Sequence, residues 1–542
     1  MKKELIPYFC SKTLYFMTKQ LLFITLTLIF LFNCKRKEDT AWDVDVLSPV
    51  VKTTLTIDNL VKDSILSINS DNTVNLDYKF SFSPINDKFF LEVPDTTIKL
   101  SYGLPFVNPV SLPPGFEFVN DPAENEFDLG DAKINFMKVA SGELAYRIES
   151  EIGEVTFYTY SILKTDDGNG NTFTKNISVP AGSKSSPAVV TGSFKFDGYS
   201  FDLTGSAGNK FNTFESVVLV SIDANGSAVS VTNTDSVRIE NKLISLKPEY
   251  VSGYLGQPTF SDGPTDNAFT LFEPIISGTI DIDSIDIYTE LKNYVGAEAQ
   301  VKMNQIISTN SETANSVNLN HNSIGRNINL NRAIDNGNSI TPSVYRIDYT
   351  TANSNIDLVI ENLSDIMTTQ VEATINPLGN ISSGNDFLYF DQIIDADFHI
   401  KMPLKFIAND LRLRQEVNLN VNENNNPVNN ALLSIYAENG FPFDADIQIY
   451  LLDVGNNITD SIKISGLINS AATDSDNKVI NPINSVLKYA LPSNKMAILN
   501  ANSKVIIDVT FNTNSATHTT IYKDYYMKLK LVTDMNMEIN YR

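Results

Sequence analysis

Leu433-Ser434-Ile435-Tyr436-Ala437-Glu438-Asn439-Gly440, continued by Phe441-Pro442-Phe443-Asp444-Ala445-Asp446-Ile447-Gln448-Ile449, decides how the chain folds. Leu433, Ile435 and Ala437 alternate with Ser434, Tyr436 and Glu438, and Ala445, Ile447 and Ile449 alternate with Asp444, Asp446 and Gln448. A period of two places the first set of each on one face, which is the pattern of a half-buried strand. Asn-Gly is the residue pair that most readily turns a hairpin, so the stretch predicts two strands joined by a tight turn.

The same layout occurs twice more, in Leu144–Ser150 and in Ile287–Asn293. Asn439 stands 146 residues after Asn293, which stands 143 after Ser150. Each copy has its mostly apolar face at the same offsets: Leu144, Tyr146, Ile148; then Ile287, Thr289, Leu291. Each is followed by an apolar residue and then a backbone-special one: Ile152-Gly153, Val295-Gly296, Phe441-Pro442. The returning strands keep the phase through Thr156, Tyr158, Tyr160 and through Ala299, Val301, Met303. A period near 145 is far longer than a solenoid unit and matches a whole β-sandwich. The order of strand, Asn-containing turn, Gly or Pro and strand resembles the late-embryogenesis-abundant type 2 module, which implies an immunoglobulin-like sandwich.

The expected fold is therefore all-β, an elongated array of about three β-sandwich modules. The expected division is residues 1–33 signal peptide, 34–45 tether, 46–130 an N-terminal β region, then sandwiches at 131–265, 266–400 and 401–542. Ser216–Ile222, Ile356–Ile360 and Lys504–Val509 read as equivalent late strands of the three. Val74, Leu76, Tyr78, Phe80 and Phe82 give the clearest alternation, ended by Pro84. Pro105, Pro109, Pro113 and Pro114 make 103–116 a stiff extended loop, since proline supplies no ladder donor. Only short helical turns are expected.

The start of the chain speaks to location. Leu21 to Phe32 is almost purely apolar, and at about 1.5 Å per residue such a helix falls short of a ~30 Å core. It suits the apolar region of a secretory signal, with Met17-Thr18-Lys19-Gln20 as the basic lead and Met17 as the expected start. Leu31-Phe32-Asn33-Cys34 resembles the lipobox of bacterial lipoproteins, although Phe32 and Asn33 are bulkier than the usual small residues. The resemblance implies cleavage before Cys34 and a covalent lipid on its thiol. The only other cysteine, Cys10, lies in the segment to be removed. Lys37-Glu38-Asp39 resembles the short charged export signal of surface lipoproteins of Bacteroidota; the other reading is a plain polar tether. Together these imply an outer-membrane, cell-surface protein.

Removing residues 1–33 leaves 37 basic and 63 acidic residues, a net charge of −26. Nucleic acid is excluded as a partner, because basic surface is needed to displace counterions. An acidic chain is repelled by anionic membranes, so the lipid would have to hold it there. A membrane barrel would need alternating segments of ~10 residues with aromatic girdles, and the lipobox argues against one.

Chemistry is sparsely marked. His321, His399 and His518 are widely separated, and there is no Gly-x-Ser-x-Gly elbow or phosphate-cradling glycine loop. Asp395, Asp397 and His399 share one strand face and are candidate metal or acid–base residues; a wet strand face produces the same pattern. Asp167-Gly168-Asn169-Gly170-Asn171 begins like a calcium loop, but Thr172 replaces the needed glycine and Ser178 the bidentate acid. The function expected is a non-catalytic, lipid-anchored binding or accessory module for other outer-membrane proteins, with no cofactor beyond the lipid. The alternative is a glycan-binding lipoprotein using Tyr or Phe platforms, since Trp42 is the only tryptophan. An enzyme would need a cleft where carboxylates, or His399 and a carboxylate, converge.

Overall fold

The computed structural model describes residues 41–61, 63–82, 93–337, 339–419, 428–453, 455–501 and 504–540. The signal peptide and Cys34 lie outside the described residues. Nearly all regular structure is β, and 24 strands account for three repeats of one eight-stranded module.

In chain order these strands are β1 (Ala41–Thr56), β2 (Val74–Phe82), β3 (Thr96–Gly103), β4 (Glu117–Glu126), β5 (Lys133–Ser150), β6 (Thr156–Ile162), β7 (Phe173–Val179) and β8 (Ala188–Lys195). They continue with β9 (Thr213–Ile222), β10 (Ser236–Tyr254), β11 (Thr259–Ala268), β12 (Asp286–Asn293), β13 (Ala299–Asn310), β14 (Asn327–Leu330), β15 (Ser343–Tyr349) and β16 (Ile366–Ile375). The last eight are β17 (Ile394–Pro403), β18 (Lys405–Asn418), β19 (Val428–Asn439), β20 (Asp444–Leu452), β21 (Ile458–Lys463), β22 (Ile483–Leu491), β23 (Lys504–Asn512) and β24 (Tyr526–Asn540).

The first module has the antiparallel sheets β8-β5-β10-β3 and β7-β6-β9-β4. The second has β15-β12-β17-β2 and β14-β13-β16-β11. The third has β22-β19-β24-β1 and β21-β20-β23-β18. Counting strands within a module, every pair of sheets reads 6-3-8-1 and 5-4-7-2. That is the order of a jelly roll, two Greek keys wrapped into a double sheet. The sandwich expectation holds, with jelly-roll rather than immunoglobulin strand order.

The modules are nested along the chain. The third takes its first strand from Ala41–Thr56 and the second from Val74–Phe82. The first module, from Thr96 to Tyr254, is complete before either of the others resumes. Strands expected in the separate N-terminal region 46–130 therefore belong to all three sandwiches. By contact density the chain forms two compact units. Of the described residues, one holds those from Ala41 to Ile57, within Arg412–Asn514, and from Tyr525 to Asn540, which is the third module apart from the start of β18; the other holds those within Asp58–Leu411 and Ser515–Asp524, and so contains the first two.

Burial follows the sequence alternation. Val74, Leu76, Tyr78, Phe80 and Phe82 all face the core, as do Ala299, Val301, Met303 and Ala445, Ile447, Ile449. Aromatic clusters fill the interiors: Phe173, Phe196 and Phe201 in the first module, Phe441, Phe443 and Phe511 in the third. Leu104 and Leu112 of the proline-rich stretch are buried, whereas Val107 stands in solvent.

The hairpin expectation is overturned at all three repeats. β5, β12 and β19 lie in one sheet of their module, and β6, β13 and β20 lie in the other. Neither Asn439 nor Gly440 has the positive φ that a tight hairpin turn requires. The asparagine side chain builds a corner between sheets instead. Asn439 Nδ2 donates to the carbonyls of Phe443 and Asn469, both at 2.9 Å, and its Oδ1 accepts from Phe441 N–H at 2.9 Å. Asn293 repeats the arrangement with Ala297 (2.9 Å), Asn331 (2.8 Å) and Val295 (2.9 Å). In the first module Ser150 Oγ accepts only the Ile152 N–H, at 3.3 Å. The next bond recurs in all three: Ile152, Val295 and Phe441 carbonyls accept from Gly182, Ala333 and Ala471 N–H. The copies thus match in backbone bonding as well as in apolar phase.

Ile356–Ile360 is a second correction, because Ile356–Glu361 is a short helix. Ile356, Val359 and Ile360 are buried while Leu358 is exposed, which is helical spacing inside a β-branched run. The seventh strand of that module is β16, one loop later. A second helix, Ser493–Ala501, occupies the equivalent place in the third module. No helix among the described residues is long and apolar enough to cross a membrane.

Candidate functional site

β17 lies between β12 and β2, so its outer-face residues meet side chains from both neighbours. Ala396, Phe398 and Ile400 turn into the core, as the alternation implies. On the other face Asp397 lies opposite Glu290 on one side and Ser81 on the other; His399 lies opposite Tyr288 and Lys79. Asp397 is buried, with 4% of its side chain exposed. Its carboxylate takes Lys79 Nζ at 2.9 Å, Lys292 Nζ at 2.9 Å and Ser81 Oγ at 2.8 Å. Lys292 also reaches Glu290 at 3.2 Å. His399 stacks on Tyr288 with centroids 4.7 Å apart, and the Arg346 guanidinium caps the other side of that tyrosine at 3.6 Å.

Glu290, Asp397 and His399 bring one donor atom each within 4.8 Å of the others, the spacing of a metal-binding set. Glu290 is the member that reading one strand at a time misses; the cross-strand register supplies it. Asp395 is exposed and is not part of this trio. Although its side chain reaches solvent, partial desolvation by the surrounding protein and the neighbouring Asp397 raise its carboxyl. In the trio the positive charge comes from two lysine ammonium groups. Burial opposes ionisation of Asp397, but the bonds from Lys79, Lys292 and Ser81 outweigh it and hold the carboxyl at about 2. His399 is pushed down, chiefly by burial, and its Nε2 lies 3.7 Å from Glu290 with no hydrogen-bond partner. A neutral imidazole beside a locked ion triad suits a structural strut better than a proton shuttle.

This has a measurable consequence. A carboxyl with a depressed folded pKa stabilises above its unfolded value near 3.8, and the contribution disappears as pH falls from about 4 to about 2. The size is about 2 kcal/mol. Urea melts of the chain and of Asp397→Asn should differ at pH 7 and converge by pH 2. A gap that persists unchanged to pH 2 would contradict the ion-triad description.

The other candidates are dispersed. His321 Nδ1 pairs with Ser323 Oγ at 2.8 Å, and His518 Nε2 with Asp281 at 3.0 Å. In the Asp167 loop the carboxylate accepts the N–H groups of Asn169 and Asn171 and the amide of Asn171, so local turn bonds use the oxygens a calcium ion would need. Sequence reading did not find the cavity of about 440 Å³ in the first module, lined by Glu124, Glu126, Lys133, Lys210 and Phe211. Phe211 is 43% exposed, and Lys133 Nζ lies 5.9 Å from its ring. Its parts come from the end of β4, the start of β5 and the loop before β9, which local patterning does not bring together.

No family model and no curated protein matches the chain. Among solved structures, a protein of Parabacteroides distasonis described as a putative secreted protein aligns over 91% of this chain and 99% of its own. The identity is 8% and the TM-score 0.27. Structures of two infectious bursal disease virus strains, Gt and Gx, align over 84% of this chain and 82% and 84% of theirs. Their identities are 9% and 7%, both with a TM-score of 0.12. At TM-scores this low, none of the three bears on the role of this chain.

Proposed function

We propose that the chain is a lipid-anchored, non-catalytic protein of the outer membrane, displayed at the cell surface as a binding or accessory module for other envelope proteins. The observation that carries the non-catalytic part of this reading is the state of Asp397: the best-placed acid has its charge taken up by two lysines and a serine on a sheet face. Three copies of one jelly roll supply broad sheet and loop surfaces, the usual material of binding proteins. Lipid at Cys34 would hold these surfaces at the membrane despite the negative charge. Crosslinking on intact cells, followed by purification from solubilised membranes, should yield a defined envelope protein in stoichiometric amount. Recovery of the chain alone under repeated crosslinking would count against the proposal.

Phe211 favours a second reading, a glycan-binding lipoprotein. An exposed ring beside carboxylate and ammonium groups in a cavity of about 440 Å³ suits a sugar face with hydroxyls at its rim. A glycan array with hits that Phe211→Ala abolishes would support this reading; an array without hits would remove it.

A further inference from the structure

Leu255-Gly256-Gln257 carries the chain from β10 of the first module to β11 of the second. Asp386, on the short strand Asp386–Tyr389 beside β10, is 1% exposed. Its Oδ2 accepts from Leu255 N–H at 3.1 Å and from Asn376 Nδ2 at 2.8 Å, while its Oδ1 is buried with no donor. Asn376 is also 1% exposed. Its Nδ2 faces a second acceptor, the Gly256 carbonyl at 3.1 Å, which fixes the amide orientation; its Oδ1 is buried and has no donor either. Glu298 sits opposite Asn376 where the β13–β16 ladder ends, joined by Asn376 N–H to the Glu298 carbonyl at 2.8 Å, and its Oε2 is a third buried oxygen without a donor. Asp131 lies against the same linker: a Cβ placed on Gly256 would be 3.6 Å from the Asp131 Cβ. None of the three carboxylates forms an ion pair with a described residue.

Buried carboxylate needs a counter-charge, and three donorless oxygens need something positive to face. We propose that this junction binds a divalent cation, with Asp386 Oδ1, Asn376 Oδ1 and the Glu298 carboxylate as ligands and Asp131 at the open side. All donors are oxygen, which selects hard ions. The mix of carboxylate and amide carbonyl, completed by water at the exposed Asp131, suits the flexible, high-coordination shell of calcium better than the strict octahedron of magnesium. The ion would tie the end of β16, the start of β13 and the linker together, bracing the first module against the second. A buried water could satisfy some of these oxygens but would leave the charge uncompensated.

Calorimetric titration of the full chain with calcium chloride should show one site per chain, and thermal unfolding in calcium should occur several degrees above that in EDTA. Asp386→Asn should abolish the site, and the milder Glu298→Gln should weaken it about tenfold or more while the chain stays folded. Equal unfolding temperatures in calcium and EDTA with no binding heat would overturn the proposal in favour of ordered water only. Calcium binding unchanged in Glu298→Gln, or matched by magnesium, would overturn it in favour of diffuse attraction to an acidic surface. These outcomes are independent of anchoring and of any partner.

Discussion

A chain ending at Asp524 should lose the third module and keep the other two. The cut removes β24, a central strand bonded to both β19 and β1. Met527, Leu529 and Leu531 go with it, each almost wholly buried. At about 1.5–3 kcal/mol per buried side chain this loss alone approaches the stability of a whole domain. β1 is left without its only neighbouring strand among the described residues, although it begins the described chain. Limited proteolysis should then digest Arg412–Asn514 rapidly and leave Asp58–Leu411 resistant. Full resistance of both regions in the shortened chain would contradict the nested arrangement, since contiguous modules would not bind Ala41–Thr56 to Tyr526–Asn540.

The second large effect concerns the corners. Asn439→Ala strips two carbonyls and one N–H of their partner in a buried place, at about 1–3 kcal/mol for each group left unsatisfied. Destabilisation of at least about 3 kcal/mol is expected, and the same for Asn293→Ala. Ser150→Ala removes one bond of 3.3 Å and should cost about 1 kcal/mol. Urea unfolding followed by tyrosine fluorescence measures all three. Equal costs at Ser150 and Asn439 would show that the asparagine corner does not hold the sheets as described.

Much of this structure is visible in the sequence at the level of single strands. Period-two alternation marks Val74–Phe82 and the returning strands because burial on one face is a local constraint. The threefold repeat is visible for the same reason. Pairing is not local. Nothing in Ala41–Thr56 names Tyr526–Asn540 as its neighbour, so the nest stays hidden until the sheets are traced. Asn-Gly misleads because the pair usually acts through backbone φ, whereas Asn439 acts through its side chain. Ile356–Glu361 misleads because β-branched residues favour strands until tertiary packing selects the helical face. The candidate site divides in the same way: Asp397 and His399 follow from one strand, Glu290 and the two lysines only from the register across three.

The functional account rests on Cys34, and metabolic labelling with a fatty-acid probe tests it most directly. The account predicts a labelled protein in the membrane fraction, and loss of both label and membrane association in Cys34→Ala. An unlabelled protein, with Cys34→Ala still fractionating with membranes, would contradict it.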